Sequence, residues 1–191
     1  MSLDLPPFRM GVDNKSEDFF KMSPRGQLPV LETAEGCLYE SNAIARYIAR
    51  VGAGDLAGAT AMENGEIETW IDFASSAVDA PLQSWVYPLL GVVPHDAARE
   101  DGARAAVAAA MAFLDAHLEG RTFLAGDAVT LADIVMVCNL HLGFKLVFDA
   151  AYRGAYRNVT RYFLTCVRQP AFQKVFGASY ALCETPLAEK R

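Results

Sequence analysis

The sequence predicts an α/β unit at residues 1–54, followed by an all-helical bundle at residues 61–191. Two observations support this division. Before position 54, short apolar runs are separated by turn residues, as in strands joined by hairpins. After position 60, apolar residues recur at intervals of three and four, which is the period of a helix with one buried face.

A β-hairpin is predicted ahead of the first helix. Residues 28–31 form a short apolar run that is entered through a proline. Residues 33–36 read as a turn in which Gly36 supplies a positive φ. Cys37–Tyr39 is then the returning strand of the pair.

A helix follows the hairpin directly. Its apolar positions recur at i, i+3, i+4 and i+7, which gives it one apolar face. Gly52 ends this helix, and the segment Gly52–Thr60, rich in Gly and Ala, is the predicted linker. The apolar positions are Ile44, Tyr47, Ile48 and Val51.

Further apolar stripes predict the helices of the bundle. Pro81 and Pro88 bend or end the first helical segment. Asp96 precedes a long helix whose many alanines reflect helix propensity, and Pro170 opens the last short helix. The stripes consist of Ile67, Trp70, Ile71, Ala74 and Val78; of Ala103, Val107, Met111, Leu114 and Leu118; and of Val159, Tyr162, Phe163, Cys166 and Val167.

Thr130 and Asp133 have the spacing of a capping box, with Asp in place of the usual Glu or Gln. The helix that they start is predicted to extend from Leu131 to Phe148. Its first part is apolar around most of its circumference, which places it in the middle of the bundle. Asp133 is therefore interpreted as a structural residue, not a catalyst.

Composition excludes several classes of function. The formal net charge is −6 and the Lys and Arg residues are scattered, so direct binding of nucleic acid is not expected. No apolar run reaches the ~18 residues of a membrane span, and the N-terminus lacks the features of a signal peptide. The four cysteines are widely spaced without a CxxC pair, which argues against a zinc site or a disulfide framework and suits a reducing cytosol.

The Leu28–Pro29 bond is the first candidate binding feature. A cis bond here would turn the Leu28 backbone outward, where it could pair with an extended ligand. The alternative is an ordinary trans proline that opens a strand. The low frequency of cis X–Pro bonds favours the trans alternative on local sequence alone.

Glu40 and Ser41 are the second candidate binding feature. They begin a predicted helix, whose free amides and partial positive charge suit a carboxylate. Ser41 could hydrogen-bond that carboxylate and Glu40 could pair with an ammonium group; a γ-glutamyl group carries both. The alternative, which the preference for Ser at N-caps favours, is that Ser41 caps its own helix.

The other chemistry-bearing side chains are interpreted as packing, surface or interface residues, and no catalytic or metal-ligating residue is predicted. The histidines lack metal-ligand spacing, and the cysteine near the turn has no basic neighbour in sequence. Aromatic residues on or after an apolar stripe suit a core or a subunit interface, with Trp70 and Tyr87 as candidate dimer contacts. The set comprises Cys37, Trp70, Trp85, Tyr87, His95, His117 and His141.

Taken in order, these features resemble the glutathione S-transferase fold. From about Phe19 to the C-terminus, longer runs resemble the N-terminal transferase-like domain of the gamma subunit of translation elongation factor 1. The Thr-Leu-Ala-Asp box alone is common to the whole superfamily, whereas the last run is much more specific. The runs are Glu40–Ala45, Trp85–Pro88, Arg121–Gly126, Thr130–Ile134 and Tyr162–Pro170.

The resemblance implies a truncated thioredoxin-like domain at residues 1–54 and a transferase C-terminal-like helical domain at residues 61–191. Leu28 and Pro29 match the loop that pairs with the cysteinyl backbone of glutathione. Glu40 and Ser41 match the residues that hold its γ-glutamyl end. No cofactor is required, and glutathione or a glutathione conjugate is a possible ligand.

The implied function is a non-catalytic docking module in the cytoplasm. It would anchor the guanine-nucleotide-exchange subunit of the elongation factor 1 complex, as a homodimer or a hetero-oligomer. The alternative function is a glutathione-type S-transferase that joins a γ-glutamyl thiol to electrophiles.

Two departures from the family pattern bear on these alternatives. The family's first strand and helix have no counterpart here, and residues 3–8 look like its second strand. The thiol-activating group lies at the end of the absent strand, so efficient transfer is not expected. Loss of an interior strand leaves backbone groups unpaired, so residues 1–12 are predicted to pack irregularly or to be covered by another chain.

Overall fold

The computed structural model describes residues 4–52 and 54–187. The chain forms two compact units, Met1–Ala57 and Gly58–Arg191. In the described residues, the first unit combines helices with a small sheet and the second is helical. This order agrees with the predicted α/β and then all-α fold class.

The described part of the first unit contains a 3-10 turn, two helices and a two-stranded antiparallel sheet. In the sheet, Val30 lies opposite Tyr39 and Thr33 lies opposite Gly36. The elements are the 3-10 turn Asp13–Lys15, α1 (Glu17–Met22), β1 (Val30–Thr33), β2 (Gly36–Tyr39) and α2 (Ser41–Val51).

The predicted hairpin is confirmed, with one shift of boundary. Gly36 has φ +143°, as the turn requires. The first strand begins at Val30, not at Leu28 as predicted. Pro29 has no N–H to donate to the sheet ladder, so the paired segment begins after it.

The match of the N-terminal segment to a strand is wrong within the described residues. Residues 4–9 have no regular secondary structure, and Leu5 is 86% exposed. Two of these residues, Pro6 and Pro7, lack the N–H that a strand ladder needs. The prediction of irregular packing for residues 1–12 is confirmed from residue 4 onward, and residues 1–3 lie outside the described residues.

The second unit is built from helices that follow the predicted stripes. In the described residues, none of its helices or those of the first unit combines the length and apolar character that crossing a membrane requires. The elements are α3 (Ala61–Phe73), a π-helical turn (Ala74–Asp79), α4 (Ala80–Leu89), α5 (Ala97–His117), α6 (Leu131–Leu146), α7 (Ala150–Ala155), α8 (Arg157–Val167) and α9 (Pro170–Phe176).

The π-helical turn joins α3 to α4 without a break in the helical backbone. Within it the Ala80 N–H bonds to the Ser75 carbonyl, five residues back. Pro81 follows immediately and cannot donate such a bond, and a widened turn is one way in which a helix accommodates this loss. Pro88 lies one residue before the end of α4, as predicted.

The predicted stripes form the core of the helical unit. All fifteen residues of the three stripes are buried, and Ile71, Leu114 and Phe163 have no exposed surface. The central position predicted for α6 is also confirmed, because its buried residues point around most of the helix. Those with no exposed surface include Ala132, Met136, Val137, Leu140 and Phe144.

The predicted end of α6 at Phe148 is wrong, because the helix ends at Leu146. The Gly143 carbonyl accepts from both the Val147 N–H at 3.0 Å and the Phe148 N–H at 2.8 Å. The chain therefore turns back, and the Phe148 ring lies against Gly143, where an added Cβ would be 2.2 Å from the ring. Any side chain at position 143 would clash with the Phe148 ring, so this turn after α6 requires glycine.

The capping residue Asp133 is fully buried and bonds to both the loop before α6 and the start of the helix. Its carboxylate accepts from the Leu124 N–H at 3.0 Å, the Thr130 N–H at 2.8 Å and the Thr130 hydroxyl at 3.1 Å. Burial raises the pKa of this carboxyl, and the hydrogen bonds partly offset that effect. The structural interpretation of Asp133 is confirmed.

Replacing Asp133 by alanine should lower the free energy of unfolding by about 1–3 kcal/mol, because the buried Leu124 amide loses its acceptor. Urea denaturation followed by circular dichroism measures the change. Asp127→Ala is the matched control, since Asp127 is exposed on the same loop and should shift stability by less than about 0.5 kcal/mol. Equal effects of the two substitutions would contradict the capping role.

Candidate functional site

A shallow groove on the first unit brings together all four predicted site residues. Its volume is about 70 Å³, well below the ~300–1,000 Å³ of sites that enclose a whole small molecule. The groove therefore suits one end of an extended ligand. We call it the hairpin groove; it is lined by Ser23, Arg25, Gln27, Leu28, Pro29, Tyr39, Glu40 and Ser41.

The Leu28–Pro29 peptide bond is cis. The trans alternative, which bond statistics favoured, is therefore wrong. Leu28 is 49% exposed, so the residue before the proline is accessible from solvent. Its pairing with an extended ligand stays a prediction.

The loop that carries Arg25 and Gln27 is fixed by two buried polar residues. The Ser23 hydroxyl donates to the Gln27 carbonyl at 3.0 Å and accepts from the Gln27 N–H at 3.3 Å. The Asn14 side-chain amide donates to the Gly26 carbonyl at 2.9 Å. Gly26 has φ +63°, and an added Cβ would lie 2.9 Å from the Phe20 ring, so this position requires glycine.

Arg25 and Glu40 face each other across the hairpin groove, with Nη1 3.1 Å from Oε1. The two side chains are 64% and 58% exposed. An exposed pair of this kind contributes about 0–1 kcal/mol, so a ligand can separate it at small cost. Arg25 could then pair with a carboxylate while Glu40 pairs with an ammonium group.

Sequence reasoning missed Arg25, which lies fifteen residues before Glu40. The available signal was the run Ser23–Gly26, whose Pro and Gly are typical of a tight turn. This run predicts a turn, but no pattern in the nearby sequence indicates that the turn contacts the start of α2.

Glu40 occupies the N-cap of α2 with φ +71° and ψ +116°. Its side chain makes no capping hydrogen bond, and Ser41 is the first residue of the helix. The alternative in which Ser41 caps its own helix is therefore wrong. Positive φ at a residue other than glycine costs about 1–3 kcal/mol and is concentrated at functional sites.

The three histidines have the packing or surface roles that were predicted for them. His117 donates from Nε2 to the Leu124 carbonyl at 2.9 Å, and the centre of its ring lies 4.2 Å from that of Trp70. His141 lies 2.8 Å from the Tyr180 hydroxyl, and His95 pairs with a buried glutamate. In the residues that the structure describes, no three metal-ligating side chains come together.

The proposal of Trp70 as a dimer contact is wrong. Trp70 is only 8% exposed and packs against Phe73, Phe113 and His117 of its own unit. Its large apolar ring is therefore satisfied within the chain. Tyr87 is partly exposed and stays a candidate.

Similar sequences occur among proteins named elongation factor 1-gamma. The chain is 44% identical over 185 residues to "Elongation factor 1-gamma 2" of Oryza sativa subsp. japonica, covering 96% of this chain and 44% of that protein. It is 48% identical over 171 residues to "Probable elongation factor 1-gamma 2" of Arabidopsis thaliana, covering 89% and 41%. The chain thus spans less than half the length of these relatives.

Similar folds occur among solved structures. The GST-like domain of elongation factor 1-gamma from Saccharomyces cerevisiae superposes with a TM-score of 0.81 at 22% identity, covering 92% of this chain and 83% of that one. A glutathione S-transferase-I bound with lactoylglutathione gives a TM-score of 0.75 at 25% identity, covering 87% and 81%.

Two family models match the chain in the expected order. Residues 8–50 match the glutathione S-transferase N-terminal domain, and residues 82–170 match the C-terminal domain. The chain therefore belongs to the glutathione S-transferase family, and the predicted transferase-like fold, an α/β part followed by helices, is confirmed. Within that family it is a transferase-like domain of the elongation factor 1-gamma type.

Alanine variants are usually more stable than glycine variants at the same position. The positive φ of Glu40 predicts the reverse order of stability there. Glu40→Gly should be more stable than Glu40→Ala by about 1 kcal/mol, because glycine adopts this backbone conformation without steric cost. At Glu32, on ordinary strand backbone, glycine should be less stable than alanine by about 0.5–1 kcal/mol. Chemical denaturation of the four variants measures both differences, and the same ranking at both positions would disprove strain at Glu40.

Proposed function

We propose that this domain is a docking module that anchors the guanine-nucleotide-exchange subunit of the elongation factor 1 complex during protein synthesis. The observation that carries the proposal is 44% identity to an elongation factor 1-gamma across 96% of the chain. The transferase that superposes with a TM-score of 0.75 is only 25% identical. A cytoplasmic location follows from the proposal, since elongation takes place there.

The chemistry of the hairpin groove supports binding of a ligand over catalytic turnover. Thiol transfer needs a group that lowers the pKa of the thiol beside the sulfur. In the groove, the Ser23 hydroxyl is held by both main-chain groups of Gln27. Arg25 and Glu40 neutralise each other. These groups are suited to recognising a charged ligand end.

The docking proposal is tested with the purified chain and a recombinant exchange subunit of an elongation factor 1 complex. The two should co-elute in size-exclusion chromatography, with a mass by light scattering equal to a stoichiometric hetero-oligomer. The same measurement on the chain alone shows whether it forms a homodimer. Conjugation of glutathione to 1-chloro-2,4-dinitrobenzene should not exceed the uncatalysed rate.

Ser41→Ala is the control for the docking measurement, because it alters the hairpin groove without changing the helical unit. Co-elution of this variant should match that of the unaltered chain. Rapid conjugation without co-elution would reject the docking module and favour the glutathione-type transferase.

We also propose that the hairpin groove holds the γ-glutamyl end of glutathione or of a glutathione conjugate. Glu40 would take the ammonium group, while Arg25 and Ser41 would take the α-carboxylate at the start of α2, where the helix dipole favours negative charge. The backbone of Leu28, beside Pro29, would pair with the cysteinyl residue. The small groove volume agrees with a ligand of which one end is held.

Titration calorimetry with S-methylglutathione tests this assignment. Glu40→Gln and Ser41→Ala should each weaken binding about tenfold, since each removes a hydrogen bond to a charged group. Ser76→Ala, an exposed serine on the second unit, is the matched control and should leave binding unchanged. Unaltered affinity in both groove variants would exclude the assignment while leaving the docking proposal intact.

A further inference from the structure

Positive charge is concentrated towards the C-terminal end of the helical unit. Residues 150–183 contain five of the 17 Lys and Arg residues of the chain and none of its 23 Asp and Glu residues. None of the five is adjacent to another in the sequence, so the concentration is visible only over a long window. A segment of one sign in a chain whose net charge of −6 has the other sign indicates an interaction surface.

Three of these cations form a row along α8. Arg157, Arg161 and Arg168 are exposed, and Arg168, the C-cap, keeps helical backbone angles. Their spacings of four and seven residues place them within about 40° of one another around the helix and about 16 Å apart from end to end. The buried residues of α8, from Val159 to Val167, lie on the opposite side. We call these three residues the arginine row.

The arginine row lacks neutralising partners. In the part of the chain that the structure describes, none of the three arginines lies within ion-pair distance of an Asp or Glu side chain. Arg161 donates instead to the main-chain carbonyls of Leu118 at 2.8 Å and Arg121 at 2.7 Å. These bonds fix Arg161 and bring Arg121, a further exposed cation, beside the row.

Two acidic residues lie near the arginine row, but neither pairs with it. The Asp115 carboxylate accepts from the Asn158 and Val159 N–H groups at 2.7 and 3.0 Å, so it caps the start of α8. Glu119 follows Leu118 in the chain and forms no ion pair among the described residues. Four guanidinium groups stand against these two carboxylates, so the surface keeps an excess of positive charge.

The arginine row does not favour the folding of α8. Arg157 is the first residue of the helix, where the helix dipole disfavours a cation. Arg157 and Arg161 are like charges four residues apart, which destabilise an isolated helix. An exposed position tolerates most polar residues, so a partner explains three unneutralised cations in one row better than helix stability does.

The surroundings of the arginine row favour a short acidic segment of a protein over a nucleic acid. A nucleic acid extends past a row of about 16 Å and meets the acidic remainder of the chain, which repels it. Leu164 is half-buried and lies between Arg161 and Arg168 on the same side of α8. The middle of the row therefore offers an apolar contact, while the guanidinium groups match the geometry of carboxylates.

We propose that the arginine row binds an acidic peptide segment of a partner protein. Carboxylates of that segment pair with Arg157 and Arg168 at the two ends of the row, and an apolar side chain between them packs on Leu164. Arg161, anchored by its two carbonyl bonds, adds positive charge at the centre. The row consists of residues of the helical unit and the hairpin groove of residues of the first unit, so this site stands independently of the groove.

Fluorescence anisotropy with a labelled helical peptide of Glu, Leu and Ala tests the site on the purified chain alone. The peptide should bind, and its affinity should fall as NaCl is raised, because salt screens exposed charges. A matched peptide with Gln in place of Glu should bind at least about tenfold more weakly. No binding, equal affinity for the two peptides, or tighter binding of a uridine oligonucleotide of the same charge would overturn the proposal.

Charge reversal at either end of the arginine row locates the binding. Arg157→Glu and Arg168→Glu should each weaken peptide binding about tenfold or more, the loss expected for one hydrogen bond to a charged group. Arg50→Glu, at an exposed arginine of α2, makes the same change in net charge and should leave affinity unchanged. All three variants should unfold close to the midpoint of the unaltered chain, since each side chain is exposed. Full affinity in both row variants, or an equal loss in Arg50→Glu, would also overturn the proposal.

Discussion

The helical unit depends on the buried carboxylate of Asp133. Its oxygens satisfy two main-chain amides and a hydroxyl, and in doing so they join the loop at Leu124 to the first turn of α6. Because α6 lies at the centre of the unit, its start position sets the register against every helix that packs on it. A buried carboxylate is costly unless its hydrogen bonds are complete, so this loop and this helix are ordered together.

The hairpin groove, in contrast to Asp133, contributes little to the stability of the fold. Glu40 adopts an unfavourable backbone conformation and makes an exposed, weak ion pair with Arg25. Neither feature adds much to folding, but together they present a carboxylate and a guanidinium at a helix start. Strain of this kind persists where the neighbouring structure holds it, and Glu40 is the single residue between β2 and α2. A carboxylate and a guanidinium are thus placed at the hairpin groove at the expense of local stability.

The sequence by itself determined the order of the two units, the helical stripes, the Thr130 capping box and the family, because these follow from local periodicity, capping chemistry and long runs of matching residues. It also named four residues of the hairpin groove. It did not find Arg25, the cis bond before Pro29 or the end of α6 at Leu146. Only the three-dimensional structure decided these, since the position of Arg25 against Glu40 and the packing of Phe148 against Gly143 are contacts of the folded chain that no periodicity or capping pattern records.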